Sequence, residues 1–284
     1  MTTNRRRRSL LAVGAVLSLL AAACSGDDAE PTDAASQPTA TAADVVLGEP
    51  TPTSEAATEP TASATTEPDP EASAAAPDSA ADVGTEIVRF TTGDGEQLEA
   101  TVYGSGPRGL VLAHMRSRDR STWDAFARTA AAEGLHVLAF DFRGYGGSTG
   151  ARDTSLDVDL LAAVDLLVSR GADRVVVAGA SMGGTAAINV AARADLAGVV
   201  SLSAPETFGT LPALDVAADV GEPLLIVTAE GDQPYADTAV ALAEVAPVSQ
   251  LQILGGRAHG TNLFADHEAV LTESLLSFIT DRLS

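Results

Sequence analysis

The chain contains no lysine: all 17 basic residues are arginines, set against 39 aspartates and glutamates, for a formal charge of −22 over 284 residues. Nucleic-acid binding is carried largely by cationic contacts to phosphate, so this balance excludes DNA or RNA as the leading partner. Cysteine is nearly absent as well. The single Cys24 rules out an intrachain disulfide framework and a cysteine-based zinc site. Aromatic residues make up only 4% of the chain, too few to name a stacking platform for a ligand. The apolar run over 10–20 falls short of the roughly 18 to 20 residues that cross a bilayer, so a permanent transmembrane helix is not expected there. No internal repeat is visible.

The charges are unevenly placed. No acid occurs before Asp27, whereas Arg5, Arg6, Arg7 and Arg8 cluster just ahead of the apolar run. A basic stretch, a short apolar stretch and small residues, in that order, read as a secretory signal peptide over 1–23. Ala21-Ala22-Ala23-Cys24 resembles the lipobox of bacterial lipoproteins, with alanine at 21 where that motif usually carries leucine. The resemblance implies cleavage before Cys24, a diacylglyceryl group on its sulfur, and a protein lipid-anchored to the extracytoplasmic face of the cell membrane. The plainer alternative is a soluble secreted protein cut near Ala23. Arg7-Arg8-Ser9-Leu10-Leu11 also resembles a twin-arginine export signal, which leaves the export route open.

Residues 24–84 then form a linker rich in Ala, Thr, Pro and Glu. After Cys24 it carries 13 acids and eight of the 14 prolines, with no basic and no aromatic residue. Such a segment cannot bury enough apolar surface to offset the entropy of ordering, so a disordered, self-repelling tether is expected. Fully extended it would reach roughly 200 Å, at ~3.3 Å per residue.

Residues 85–284 read as one domain of ordinary size. Strands are predicted near 85–92, 97–103, 109–114, 135–141, 174–180, 198–203, 223–229 and 250–254. Helical periodicity covers 122–133, 155–169, 181–194, 235–244 and 262–282. Runs such as Val175-Val176-Val177-Ala178 and Leu224-Leu225-Ile226-Val227 are apolar on both faces, as in the middle of a parallel sheet covered by helices. The alternation predicts an α/β class with a mostly parallel central sheet and helices on both faces.

Directly after the predicted strand 174–180 stands Gly179-Ala180-Ser181-Met182-Gly183-Gly184, followed by a helical pattern. In a G-x-S-x-G turn between strand and helix the serine is pushed out at the carboxyl end of the sheet. The flanking glycines are needed because side chains would clash there. The N–H of Met182 and the helix N-terminus then favour negative charge developing beside Ser181.

With this motif the domain resembles the α/β-hydrolase family over nearly all of residues 85–284. The family order is nucleophile, acid, histidine. Downstream of Ser181, Glu230-Gly231-Asp232 ends one predicted strand, and Gly255-Gly256-Arg257-Ala258-His259-Gly260 follows another. The resemblance therefore implies a Ser181, Asp232, His259 triad. A serine hydroxyl attacks well only when a neutral imidazole takes its proton and a carboxylate holds that imidazole in one tautomer. Glu230 is the rival acid. His267, in the last helical pattern, and His136, opening a strand, read as structural. Asp141, in Asp141-Phe142-Arg143-Gly144-Tyr145-Gly146-Gly147-Ser148, matches a structural segment of the family and receives no catalytic role.

The second oxyanion donor implied by the resemblance is the N–H of Arg116, in His114-Met115-Arg116. The family has glycine where Met115 stands, so a differently shaped loop is expected. His114 reads as a hydrogen-bonding residue that shapes this loop. Arg116, Arg118 and Arg120, beside Asp119, read as solvated ion pairs ahead of an anion-binding lip. Only 19 residues, 204–222, occupy the place where many relatives insert a lid, with room for one short helix near 211–218. The implied activity is hydrolysis of a small-molecule carboxylic ester through an acyl-enzyme, with thioesterase, amidase or lactonase chemistry as variants and no metal or organic cofactor. The alternative is a non-catalytic binding lipoprotein that keeps the fold.

Overall fold

The computed structural model describes residues 83–284; the stretch predicted as a signal peptide, Cys24 and nearly all of the predicted linker lie outside the described residues. In chain order the elements are β1 (Thr85–Thr91), β2 (Gln97–Tyr103), β3 (Arg108–Ala113), α1 (Asp124–Ala132), β4 (His136–Phe140), α2 (Leu156–Ser169), β5 (Arg174–Ala180), α3 (Met182–Ala191), β6 (Gly198–Leu202), β7 (Thr207–Phe208), β8 (Leu211–Pro212), α4 (Ala213–Ala217), β9 (Leu224–Ala229), α5 (Tyr235–Val245), β10 (Ser249–Leu254) and α6 (Leu263–Arg282). Eight strands form one sheet in the order β1-β2-β4-β3-β5-β6-β9-β10. β1 and β2 join antiparallel, as do β2 and β4; all later pairings are parallel. The expected class, α/β with a mostly parallel sheet and helices on both faces, is the one found.

The apolar runs explain the layering. Successive strand residues point to opposite faces, so Val111, Val175, Val177, Leu224 and Ile226 pack toward α2, α3, α4 and α5. Leu110, Leu112, Val176, Ala178, Leu225 and Val227 pack toward α1 and α6. Each fully buried aliphatic side chain contributes about 1.5 to 3 kcal/mol. A polar residue at either parity of β5 would therefore be costly, which is why that strand has no polar face.

The strand order reverses at β3: β4 lies on one side of it and β5 on the other. In open α/β sheets the crevice at the carboxyl ends of the strands beside such a reversal is the usual ligand site. His114 follows β3 there and Ser181 follows β5.

The segment after β4 serves the fold. Asp141 is fully buried, pairs with the Arg120 guanidinium, and accepts the N–H groups of Arg120 and Gly147 at 2.8 and 2.9 Å. Gly146 has φ +48°, and a Cβ there would lie 2.0 Å from the Asp141 carboxylate. Arg120 also binds Glu99 at 2.6 Å with its side chain only 16% exposed, so the ion pairing expected to be solvated is internal at this residue, and Arg120 forms no basic lip.

The stretch over 204–222 is more structured than expected. A two-stranded hairpin of β7 and β8 precedes α4, so the short helix starts later and is shorter than the predicted 211–218. Pro212, with no N–H to donate, sits at the N-cap of α4 in extended conformation.

Candidate active site

β5 is buried from Val175 onward and delivers Ser181 into a sharp turn with φ 49° and ψ −113°. A non-glycine residue held in so sparsely populated a region costs on the order of 1–3 kcal/mol and persists only when its surroundings force it. Here they do. The Ser181 N–H donates to Leu202 O at 2.7 Å, and Ser181 O accepts from the Thr185 N–H at 3.0 Å. A Cβ on Gly179 would lie 2.2 Å from Gly183 O, and one on Gly183 would lie 2.5 Å from Ala113 O. Both glycines of the motif are thus required by close approach: the first to helix α3, the second to the end of β3. Ser181 is 7% exposed. Among the described residues the Met182 N–H, the first of the ten-residue α3, has no hydrogen-bond partner.

Asp232 follows β9 and is buried; His259 follows β10 and precedes the 3-10 turn Gly260–Asn262. The His259 Nδ1 lies 2.9 Å from Asp232 Oδ2 and 3.1 Å from Oδ1. A carboxylate only accepts hydrogen bonds, so Nδ1 carries the hydrogen and Nε2 is left as the acceptor. The acid is held in turn: its N–H donates to Ala229 O at 3.1 Å and its carbonyl accepts from the Ala236 N–H at 2.8 Å. Glu230, the rival acid, is exposed and, among the described residues, makes no hydrogen bond to the imidazole.

The histidine loop lies against the serine turn. Gly260, with φ +57°, approaches so closely that a Cβ on it would be 3.5 Å from Ala180 Cβ and 2.8 Å from Met115 Sδ. Among the described residues the Ser181 hydroxyl makes no hydrogen bond, to His259 or to any other group. Such bonds often tighten only once substrate is bound. Sequence reasoning missed one residue here. The Tyr235 ring lies on the His259 imidazole with centroids 4.2 Å apart and planes tilted by 48°. Its only sequence signal is its place three positions after Asp232.

The loop after β3 is shaped by His114, which is fully buried. Its Nε2 accepts the Phe142 N–H at 3.0 Å, so its Nδ1 donates to Met115 O at 2.8 Å. Met115 avoids the left-handed region; Ser117 takes it instead, with φ 61°. The thioether of Met115 accepts from Thr261 Oγ1 at 3.4 Å and packs on Gly260, so methionine in place of glycine wedges this loop to the histidine loop. The Arg116 N–H has no partner among the described residues, while its guanidinium pairs with Asp153 at 2.9 Å and stands 5.9 Å over the Phe208 ring. Arg118 is exposed. His136 is buried at the head of β4 with Nδ1 3.3 Å from Gly106 O, and His267 sits at a kink in α6 with Nε2 2.8 Å from Gly255 O. Both are remote in role from the serine turn, as read from sequence.

Burial holds the His114 pKa below its ordinary value of 6.5, and burial does the same for His136. The unfolded chain then takes up these protons before the folded one does. Stability is whole above about pH 6.5 and falls as pH drops toward the lowered folded value, by up to about 1.4 kcal/mol per pH unit for each proton. Unfolding midpoints measured from pH 8 to 5 should decline below 6.5. His114→Asn should be less stable at every pH yet show a shallower decline; an unchanged slope would contradict this role.

Among the described residues no group of three or more His, Cys, Asp or Glu is placed to hold a metal ion, and no helix is long and apolar enough to cross a membrane. Residues 109–266 match the profile of the "Alpha/beta hydrolase family". No curated protein matches the sequence. Among solved structures the chain is similar to an esterase of Pyrococcus furiosus, with a TM-score of 0.63 and 17% identity over 71% of this chain and 92% of that one. It is also similar to an esterase of Exiguobacterium antarcticum, with a TM-score of 0.59 and 16% identity over 68% and 99%. A third likeness is to the alpha/beta hydrolase GrgF of a Penicillium species, with a TM-score of 0.62 and 17% identity over 71% and 99%.

Proposed function

The chain belongs to the alpha/beta hydrolase family, and from that premise we propose that it is a serine hydrolase cleaving small carboxylic esters through an acyl-enzyme. Ser181 Oγ attacks the ester carbonyl while His259 Nε2 takes its proton, and Asp232 stabilises the imidazolium that forms. The N–H groups of Met182 and Arg116 receive the tetrahedral oxyanion. The imidazolium then gives its proton to the departing alcohol. In the second half His259 deprotonates water, which attacks the acyl carbonyl; as the intermediate collapses the imidazolium gives that proton to Ser181 Oγ, releasing the carboxylic acid and restoring the free serine. The observation that carries this reading is the Asp232–His259 hydrogen bond beside a left-handed Ser181 at the end of β5. The esterases among the similar structures agree with the choice of ester as substrate class.

The direct test is labelling by a fluorophosphonate together with hydrolysis of p-nitrophenyl acetate, butyrate and octanoate. Labelling with turnover of at least one ester is expected. Folded protein that neither reacts nor turns over would overturn the reading and leave a binding protein on a hydrolase fold.

We also propose that the protein is exported and anchored through a lipid on Cys24, on the strength of the basic and apolar leader and the lipobox-like Ala21-Ala22-Ala23-Cys24. Cys24→Ala should move the protein from the membrane fraction to the medium. Continued membrane retention would count against lipidation.

A further inference from the structure

We infer that Ser203 is the positioning residue that sets the histidine loop against the nucleophile turn, an inference that rests on the serine-hydrolase reading. Ser203 directly follows β6, is fully buried, and has φ 52°. Glycine would occupy that conformation without steric cost, whereas serine is strained there. The hydroxyl therefore accompanies a strain that the backbone alone would relieve by using glycine. What the side chain does is specific: Ser203 Oγ accepts the N–H of Gly260, the residue after His259, at 3.1 Å across 57 positions of sequence.

The backbone at the same point completes a three-way junction. The carbonyl of Leu202, one residue earlier, takes the N–H of Ser181 at 2.7 Å. The N–H of Ser203 itself donates to Val227 O at 2.8 Å, on the strand that leads to Asp232. One dipeptide, Leu202-Ser203, is thus bonded to the strand or loop that carries each of Ser181, Asp232 and His259. Two of these links are main-chain bonds that glycine or alanine at position 203 would keep; the link to the histidine loop needs the hydroxyl. Gly260 is buried, so without Ser203 Oγ its N–H loses the acceptor that fixes its place beside Ala180. Misplacing a catalytic group by about 1 Å can cost ~100-fold in rate, so a partial loosening should be read clearly in turnover.

The test compares Ser203→Gly with Ser203→Ala, using kcat, KM, fluorophosphonate labelling rate and unfolding midpoint, with rates counted per active site titrated by the probe. Glycine removes both the strain and the hydroxyl; alanine removes only the hydroxyl. A positioning role predicts that kcat and labelling rate fall about tenfold in both variants with KM within twofold, although Ser203→Gly unfolds at or above the wild-type midpoint and Ser203→Ala below it. Wild-type kcat per titrated site in both variants would overturn the inference. So would activity that follows the midpoint, restored in the glycine variant and lost only with alanine, since that pattern belongs to a structural hydroxyl. A wild-type protein that neither turns over esters nor takes the label would refute the serine-hydrolase reading itself, before any variant is compared.

Discussion

Ser181→Ala should abolish fluorophosphonate labelling and lower kcat by roughly 10⁶-fold, about 8 kcal/mol in the barrier, while leaving KM and the fold nearly unchanged. The size follows from the loss of the attacking atom. Retention of the fold follows from the geometry of the turn: φ 49° is fixed by the Leu202 and Thr185 hydrogen bonds and by the two close-packed glycines, and alanine can be held there at the cost serine already bears. Ser181→Gly separates the two roles further. It should be equally inactive yet more stable than wild type by about 1 kcal/mol, because glycine enters the left-handed region freely. That gain would raise the unfolding midpoint by roughly 2–4 °C for a domain of this size. An active alanine variant would dismiss Ser181 as nucleophile; a glycine variant no more stable than wild type would dismiss the strain.

Asp232→Asn should lower kcat by about 10⁴-fold, near 5.5 kcal/mol, with the protein still folded. Asp232 is 6% exposed and its carboxylate accepts from Nδ1 of His259 through both oxygens. An amide can instead donate to that nitrogen, which moves the hydrogen to Nε2 and blinds the base to the serine. Circular dichroism and the unfolding midpoint report the fold, and steady-state kinetics the loss. Activity within tenfold of wild type would transfer the acid's role to Glu230, against its exposed position.

Much of this site is legible in local sequence because its parts sit at strand ends. The predicted strands over 97–103 and 174–180 coincide with β2 and β5, where apolar alternation or continuous apolar burial is strong. Once strands are located, the loops after β5, β9 and β10 contain Ser181, Asp232 and His259 with few competitors. Other features are not local. The pairing of Arg116 with Asp153 spans 37 positions and the bond from Gly260 to Ser203 spans 57, and neither residue type announces its partner. The left-handed backbone of Ser203 is invisible because serine stands at the position itself, where glycine or asparagine would mark that conformation. Met115 shows a related limit. Its residue type signals a departure in loop shape, but only packing against Gly260 and Thr261 reveals that the side chain becomes part of the wall.

The hairpin of β7 and β8 with the five-residue α4 is all that the segment over 204–222 adds above the sheet. A cover so slight has little to swing aside between turnovers. Under the proposed chemistry turnover would then not wait on the swing of a helical lid: its rate should follow the concentration of dissolved ester, with no jump once a lipid–water interface is added.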